Sequence, residues 1–430
     1  MASTANTPGS AYDDVCVTGL GFILPGAESV ASAWRHLAQG DPQISRLPPE
    51  LSARSGIHGG GRISDFDYRR HLPDLPDNFA KRYSRDILMV LAAVENARRD
   101  AGLDGPDGAG PDRTGIVASS ARGPAEWWYQ IASGEDLGTD WPPVSPDRAI
   151  LASLAGTPAT LSAIRLGARG LVTTVSNACV GGHQAVALAG DQIRRGAADV
   201  MYVIGYDLPL VPPVFQVYAA PGSTVLSREP EVTRAVKPYD RRRDGFVLGE
   251  GAVVMVLENE RHARARGARP YAALRAAHSV NEAAHATRMD LSGRATAAMI
   301  GELLDAAGRD PGDLDYICGH GTATRYNDAA ESRALAHLYG EERSQWPPLG
   351  SNKPIFGHLL GAAGLLNCAA VALMLRRQCL APTANCEEAD PECDHDHVTE
   401  GPRPAVLDTA MSLAFAIGSQ SSAVLLERAA

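Results

Sequence analysis

The stretch TTVSNACVGGHQAVALAGDQIRRG, residues 173–196, places one cysteine between a segment that favours a strand and a segment that favours a helix. Residues 173–175 are β-branched, which is typical of an extended chain. Beyond the glycine pair at 181–182, apolar residues recur at roughly helical spacing until Gly196 closes the segment. The pattern predicts that Cys179 lies at or just before a helix N-terminus, where unpaired N–H groups and the helix dipole favour a thiolate.

The same alternation of strand and helix runs along the rest of the chain. Strand patterns such as VCVTGLGFILPG (15–26) alternate with helix patterns such as RDILMVLAAVENARRDAGL (85–103). This alternation predicts an α/β fold, with an indication of two similar halves that divide near residues 260–275. The stretch 122–150, which holds three tryptophans and a Pro-Pro pair, is predicted to be irregular and to form a lid or a partner surface.

The composition excludes several classes of function. The 430 residues are 45% hydrophobic and 21% charged, which is ordinary for a globular protein, and the net charge of −10 argues against general nucleic-acid binding. Seven scattered cysteines without a CxxC pair predict free thiols and neither a disulfide framework nor a zinc site. Because no stretch approaches the roughly 18–20 apolar residues of a membrane helix, and residues 1–12 read as a short disordered leader, we expect a cytoplasmic protein without membrane contact.

Two histidines occur at glycine-flanked junctions later in the chain. His320 ends the strand pattern of YICGHGTATRYNDAAES (316–332), and His358 lies in GSNKPIFGHLLGAAG (350–364). Lys353, one of only three lysines among 40 basic residues, precedes His358 by five positions. A thiolate nucleophile needs a polarised electrophile, and two imidazoles can donate hydrogen bonds to an enolate oxygen. The residues alone therefore indicate acyl transfer through a thioester.

Four stretches resemble the signature sequences of elongating β-ketoacyl synthases: SNACVGG, KPYDRRRDGFVLGEGA, HGTATRYNDAAE and NKPIFGHLLGAAG. The likeness spans residues 13–428 and is greatest to the ketosynthase subunits of type II polyketide systems, which DPECDHDHV (390–398) also resembles. It implies a thiolase-like fold of two βαβαβαββ halves, residues 13–265 and 266–430, stacked in five α-β-α-β-α layers. It also implies a dimer, either a homodimer or a heterodimer with a ketosynthase-like subunit, and no cofactor.

The resemblance implies a role for the cysteine and both histidines. Cys179 would take the acyl chain from the 4′-phosphopantetheine arm of an acyl carrier protein. Its backbone N–H would join that of Phe415 as the oxyanion hole. His320 and His358 would stabilise the enolate that forms when a malonyl thioester loses carbon dioxide. The implied reaction is an acyltransferase reaction on carrier-bound substrates.

The same resemblance implies supporting residues. Lys353 is expected to hold Glu331 and to set the charge beside the second histidine. The residues implied to bind substrate are Thr322, Thr324, His285, Thr287, Asp328, Phe415 and Ile417. No metal site is expected, because CDHDH (393–397) has no distal ligands at a suitable spacing and is interpreted as a surface loop. Basic runs such as 241–243 and 261–269 are expected to be solvated faces, although an acidic carrier protein can contact such faces.

The C-terminal signature departs from the family pattern. LAFAIGSQS (413–421) keeps Phe415 but has Ala416 in place of the family's glycine and Ile417 in place of its second phenylalanine. The departure leaves Cys179, His320 and His358 intact, so we expect decarboxylative Claisen condensation in polyketide or specialised fatty acid biosynthesis. Because it alters the residues beside them, intramolecular aldol or lactone cyclisation, or simple acyl transfer, are the alternatives. A non-catalytic chain-length factor is a third possibility, which Cys179 opposes because such family members usually have glutamine there. The sequence leaves the acyl substrate and the chain length open.

Overall fold

The computed structural model describes residues 14–104, 110–135, 150–220, 222–286, 289–340 and 342–429. The predicted leader at residues 1–12 and the segment around Trp141 lie outside the described residues. The described strands are β1 (Val15–Ile23), β2 (Ser45–Arg46), β3 (Gly59–Gly60), β4 (Thr114–Ser119), β5 (Val172–Val175), β6 (Val200–Asp207), β7 (Gly251–Asn259), β8 (Ala272–Asn281), β9 (Tyr316–Cys318), β10 (Leu349–Gly350), β11 (Cys379–Leu380), β12 (Arg403–Pro404), β13 (Thr409–Ala416) and β14 (Gln420–Arg428).

The described helices lie between these strands. They are α1 (Val30–Gln39), α2 (Pro49–Ser55), α3 (Asp77–Ala80), α4 (Arg85–Asp100), α5 (Ala125–Ser133), α6 (Thr157–Leu166), α7 (Gly181–Arg194), α8 (Pro212–Tyr218), α9 (Glu260–Ala265), α10 (Arg294–Ala307), α11 (Arg325–Tyr339), α12 (Lys353–Phe356) and α13 (Ala363–Arg377). Helix α1 begins at a capping box on Ser29 and ends at Gly40 in the left-handed conformation.

Two sets of five strands share one order and one pattern of directions. The first set runs β5-β4-β6-β7-β1, and the second runs β10-β9-β13-β14-β8. In each set the first three strands are parallel and the last two alternate in direction. A short antiparallel ladder between β1 and β8, from the pair Val15–Leu274 to the pair Val17–Ala272, joins the sets. The second half therefore repeats the topology of the first.

Helices cover both sets of strands in alternating layers. Helices α4 and α6 pack on the outer face of the first set, and α10, with α11 against it, packs on the outer face of the second. Between the sets, α7 and α13 pack against each other and contact strands of both. The α-β-α-β-α arrangement confirms the thiolase-like α/β fold. The boundary between halves at 13–265 and 266–430 stays a prediction.

Side chains on each strand alternate between the central and the outer helices. In β4, Val117 packs into the cluster around α7 and α13, whereas Ile116 and Ala118 pack into the cluster around α4 and α6. Because both faces are covered, the strands are apolar runs, and every residue of β7 is buried. The core therefore extends through the central helical layer, where the functional residues lie.

Helix α13 corrects one expectation from the sequence. Residues 360–377 form an 18-residue helical stretch that is long and apolar enough to cross a membrane by length and composition, contrary to the expectation that no such stretch exists. In the fold, 89% of this stretch is buried inside the protein. A helix enclosed by its own chain is a core helix, and its apolar composition follows from packing on two sheets at once. Cytoplasmic localisation stays a prediction.

Helix α5 corrects a second expectation, because residues 125–133 of the stretch predicted to be irregular form a helix. Trp127 on this helix is buried in an apolar cluster with α4. The neighbouring Glu126 accepts a hydrogen bond of 2.9 Å from the buried guanidinium of Arg85. These partners are distant in sequence, so local residue preferences did not reveal the helix.

The close approach of α7 and α13 yields a stability prediction. A Cβ at Gly182 would lie 2.6 Å from the backbone nitrogen of Leu365. We expect Gly182→Ala to lower the free energy of unfolding by about 1–3 kcal/mol, the usual cost of overpacking, as measured by urea denaturation. Gly301→Ala in α10 is the matched control, because nothing lies within 4 Å of its Cβ position. It should stabilise the protein by about 0.5–1 kcal/mol. Equal effects of the two substitutions would contradict the packing argument.

Candidate active site

Cys179 lies in the short 3₁₀ turn Ala178–Val180 that joins β5 to α7. Ala178 has φ of 44°, in the left-handed region that residues other than glycine rarely adopt. The turn places the half-buried thiol 3.1 Å from Nε2 of His358. The sequence prediction that Cys179 precedes a helix is confirmed, and α7 begins two residues later at Gly181.

His358 belongs to the opposite half of the fold and lies between α12 and α13. Its backbone N–H donates to Val247 at 2.8 Å, and its carbonyl accepts from Gly249 at 3.0 Å. The Phe246 ring packs edge-on against the imidazole, with 4.8 Å between ring centroids. The stretch GFVLGEG therefore holds His358 from the first half of the chain.

His320 follows β9 and completes the cluster. Its ring lies 5.4 Å from the His358 ring and 5.7 Å from the Phe415 ring, both nearly perpendicular. The Cys179 sulfur and one nitrogen of each histidine lie within 4.8 Å of one another. Nδ1 of both histidines is buried without a hydrogen-bond partner among the described residues. The structure thus brings together the three residues that the sequence singled out.

Glu331 and Lys353 act on the same peptide unit. The Glu331 carboxylate accepts the backbone N–H of His320 and, at 2.8 Å, that of Gly321. The Lys353 ammonium donates to the His320 carbonyl. No oxygen of Glu331 lies within 4.0 Å of the ammonium in the described structure, so the expectation that Lys353 holds Glu331 directly is wrong. Both side chains instead fix the backbone at His320. The Glu331 carboxylate and the Lys353 ammonium each bond to a backbone group there and not to one another.

Asp328 lies in the protein interior. This carboxylate is fully buried, accepts the backbone N–H of Tyr239 at 2.8 Å and lies 3.9 Å from Nε of Arg243. The expectation that Asp328 contacts substrate is therefore wrong, since protein groups enclose it. Thr322 and Thr324 share a hydrogen bond of 2.8 Å between their hydroxyls. Their contact with the substrate arm stays a prediction.

The remaining predicted residues lie at the mouth of the site or outside the described structure. His285 is exposed, and its backbone N–H donates to the Ser419 hydroxyl at 2.8 Å. Ile417 is 58% exposed, whereas Phe415 is only 4% exposed. Thr287 lies outside the described residues. Strand β13, which carries Phe415, packs on the turn that carries the nucleophile, and the paired oxyanion donors stay a prediction.

Burial favours the neutral forms of the reacting groups. It raises the pKa of the Cys179 thiol to about 12, against the opposing effect of the Lys353 charge. Burial also lowers the pKa of His320 and of His358 well below the ordinary value, and the positive charge of Lys353 lowers both further. Desolvation therefore opposes the thiolate that the helix N-terminus favours, and the expected thiolate stays a prediction.

Asp207 is a buried carboxylate beside the site that sequence reasoning missed, and its charge acts on the Cys179 thiol. Its carboxylate accepts hydrogen bonds from the Ser120 hydroxyl at 2.8 Å and from the backbone N–H of Ala121 and of Arg122, both at 2.9 Å. It also accepts the backbone N–H of Gly361 at 2.7 Å, from the opposite half. Burial raises its pKa to about 6. The only signal in the sequence was an acidic residue that ends an otherwise apolar strand.

The segment 393–397 is not the surface loop that the sequence suggested. Cys393 and His397 are buried, and the His397 ring stacks on the Tyr239 ring with 4.3 Å between centroids. The Tyr239 hydroxyl donates to Glu331 at 3.2 Å. The segment therefore packs on a residue that is hydrogen-bonded to Glu331 of the site. Among the described residues, the one set of three groups close enough to ligate a metal ion is the cysteine and two histidines of the site.

Comparison with known proteins decides the family. The profile of the β-ketoacyl synthase N-terminal domain matches residues 12–263, and that of the C-terminal domain matches residues 271–387. The chain belongs to the β-ketoacyl synthase family. The synthase is 34% identical over 432 residues to the tetracenomycin polyketide synthase ketoacyl synthase alpha subunit of Streptomyces glaucescens, covering 96% of this chain and 97% of the relative. It is therefore an acyltransferase of the type II polyketide ketosynthase kind.

Solved structures agree with this membership. A type II polyketide ketosynthase in complex with its acyl-carrier protein, bound to the hexaketide, superposes with a TM-score of 0.85 at 28% identity, covering 97% of the synthase and all of that chain. The ishigamide ketosynthase/chain length factor gives the same TM-score and identity, covering 98% of the synthase and 100% of that chain. These likenesses extend over both halves of the synthase.

The raised pKa of Cys179 predicts how its reactivity depends on pH. Iodoacetamide should alkylate Cys179 about tenfold faster for each pH unit between about pH 7 and about pH 9, because the thiolate fraction stays small and rises throughout. Intact-protein mass measures the rate, and Cys179→Ala identifies signal from other thiols. An alkylation rate that begins to level off between about pH 8.5 and about pH 9 would show an ordinary thiol and contradict the dominance of burial.

Proposed function

We propose that the synthase loads an acyl chain from a carrier protein onto Cys179 and then condenses it with a decarboxylated malonyl unit. The observation that carries the proposal is the convergence of one sulfur and two imidazole nitrogens within 4.8 Å, contributed by both halves. Thioester exchange needs a nucleophile and a proton acceptor, and decarboxylation needs donors for an enolate oxygen. The cluster provides each of these groups.

In the loading step, Nε2 of His358 takes the proton of the Cys179 thiol, which lies 3.1 Å away. The sulfur attacks the carbonyl carbon of the carrier thioester, and backbone N–H groups of Cys179 and Phe415 hold the resulting oxyanion. The carrier thiol leaves and takes the proton from His358. A neutral imidazole is needed to accept the proton, and burial supplies it by depressing the pKa of His358.

In the extension step, a malonyl thioester replaces the free carrier thiol. Nε2–H groups of His320 and His358 donate to its thioester oxygen, carbon dioxide leaves, and the enolate is formed. The enolate carbon attacks the acyl carbonyl, a C–C bond forms, and the bond from carbon to the Cys179 sulfur breaks. The released thiolate takes a proton from water, which restores the thiol. Because Nδ1 of neither histidine is bonded among the described residues, no neighbour fixes either tautomer. Nε2 of His358 can therefore accept a proton in the first step and donate a hydrogen bond in the second.

An acyl carrier protein and a second ketosynthase-like subunit are the proposed partners. The solved relatives include a ketosynthase with its carrier protein and a ketosynthase/chain length factor, which supports both. Strand β5 is one of the two edge strands of the ten-stranded sheet, and exposed apolar side chains lie along residues 150–171 beside it. These are Ile150, Leu151, Leu154, Ile164 and Leu171. Apolar surface next to a free strand edge is typical of a subunit interface, so we place the second subunit there.

The basic runs do not supply a free surface for the carrier. Arg242 pairs with Asp240 at 2.8 Å, and the buried Arg243 pairs with Asp390 at 2.6 Å. Within 261–269, Arg266 pairs with the buried Glu258, also at 2.6 Å. Because ion pairs inside the chain neutralise these arginines, they are poorly suited to attract an acidic partner.

Two other functions compete with chain extension. The Ala416–Ile417 replacement beside Phe415 favours intramolecular cyclisation as the second candidate, since it alters the wall on which an extender unit would rest. A non-catalytic chain-length factor would need neither the 3.1 Å contact between Cys179 and His358 nor the buried Lys353. The presence of Cys179, His358 and Lys353 supports catalysis.

The first test separates loading from extension. His320→Ala should still form the acyl adduct on Cys179 but lose the following step by about 100-fold or more, because an enolate donor is removed. His358→Ala should slow both steps, since His358 contacts the sulfur directly. Intact-protein mass measures loading, and product formation measures the rest. Cys179→Ala should form no adduct while remaining folded. An undiminished adduct on that variant would refute the assigned nucleophile.

The second test identifies the reaction that follows loading. Acyl-loaded synthase incubated with malonyl-carrier protein should release carbon dioxide and yield a product longer by one acetyl unit. The enolate has no other electrophile as near as the acyl-cysteine carbonyl, which is the physical reason for this outcome. Product mass and released carbon dioxide are measured together. A cyclised product formed without malonyl supports the cyclase alternative, and failure to load any acyl chain supports the chain-length factor.

A further inference from the structure

The turn Ile417–Ser419, between β13 and β14, is tied down on the side facing β8. The Asn281 side chain donates to the Gly418 carbonyl at 2.8 Å, and the backbone N–H of Glu282 donates to the Ser419 carbonyl at 2.7 Å. The Ser419 hydroxyl accepts the backbone N–H of His285 at 2.8 Å and donates to the His285 carbonyl at 2.6 Å. This side of the turn is therefore anchored at successive residues.

A second anchor joins the turn to the nucleophile. Gln420 and Asn177 form a reciprocal amide pair, in which the Gln420 amide nitrogen donates to Asn177 Oδ1 at 2.6 Å and the Asn177 amide nitrogen donates to Gln420 Oε1 at 2.5 Å. Asn177 lies two residues before Cys179. Its nitrogen also donates to Gln184 on α7 at 2.8 Å, so both of its amide hydrogens are used.

We propose that this amide pair is a latch, and that Gln420 is a positioning residue for catalysis. The latch ties the turn after Phe415 to the turn that carries Cys179, so that the Phe415 backbone keeps one position through loading and extension. The proposal rests on the proposed function, because it concerns the donor that holds the oxyanion in both steps.

The geometry favours a fixed turn over a moving one. Any swing of the turn away from Cys179 must break both bonds of the latch and the bonds of Ser419 on the opposite side. Ala416 at the end of β13 and Ile417 in the turn also have fewer accessible backbone conformations than glycine would have there. Ile417, at 58% exposure, is left outside the latch as a fixed apolar surface at the mouth.

Hydrogen exchange tests the latch without turnover. In the unmodified synthase, peptides covering residues 412–422 should exchange at the same rate, within about twofold, before and after acyl loading of Cys179. Gln420→Ala should raise this exchange by about tenfold or more. Gln345→Ala is the matched control, because it removes an exposed amide that is bonded to Glu342 at 2.7 Å. The control should leave these peptides unchanged. Exchange that rises on loading the unmodified synthase, or that is unchanged in Gln420→Ala, overturns the proposal.

An amide swap separates positioning from mere stability. Asn177→Gln lengthens the amide pair by one methylene group, and Gln420→Asn shortens it by one. The double variant restores the total length of the two side chains. Each single variant should lower the maximal rate of Cys179 acylation by about 10–100-fold while the KM for the acyl carrier stays within about threefold. The double variant should recover to within about threefold of the unmodified rate. Lower thermal stability with a normal acylation rate, or no recovery in the double variant, overturns the positioning role.

The outcome also distinguishes this inference from the proposed function. If the unmodified synthase loads acyl chains but never extends them, condensation is refuted. The exchange and acylation results still decide the latch, because neither requires a malonyl unit.

Discussion

The site depends on the close approach of α7 and α13, because Cys179 and His358 come from opposite halves of the fold and must meet at 3.1 Å. Glycines make the approach possible. A side chain at Gly182 would strike the backbone of α13, and one at Gly364 would lie 2.9 Å from the His183 ring. The two halves repeat one topology, and the contact between their central helices brings Cys179 of one half within reach of His358 of the other.

The low polarity of that contact sets the chemistry. Burial raises the pKa of the Cys179 thiol and lowers the pKa of His358, so both groups favour the neutral form. Glu331 and Lys353 contact the backbone of His320. The carboxylate accepts the His320 N–H, and the ammonium donates to the His320 carbonyl. Buried charges are costly unless hydrogen-bonded, and this arrangement satisfies them with backbone groups.

The two walls of the site are built differently. The wall behind the histidines is a polar scaffold in which Tyr239 and Glu331 are fully buried. The wall beyond Phe415 is a short turn on the surface that is fixed by side-chain amides and a hydroxyl. Hydrogen bonds on both sides of this turn oppose its displacement and leave the Ile417 side chain exposed.

The sequence by itself determined the α/β alternation and the junctions that carry Cys179 and His320, because strand period, glycine breaks and helix spacing are local signals. The tertiary structure decided the rest. It turned residues 125–133 into a helix by burying one face, and it directed Lys353 to a carbonyl rather than to a carboxylate. It enclosed Asp328 and raised the thiol pKa through burial. Each of these depends on which distant residues pack nearby, and desolvation has no signature in a local pattern of residues.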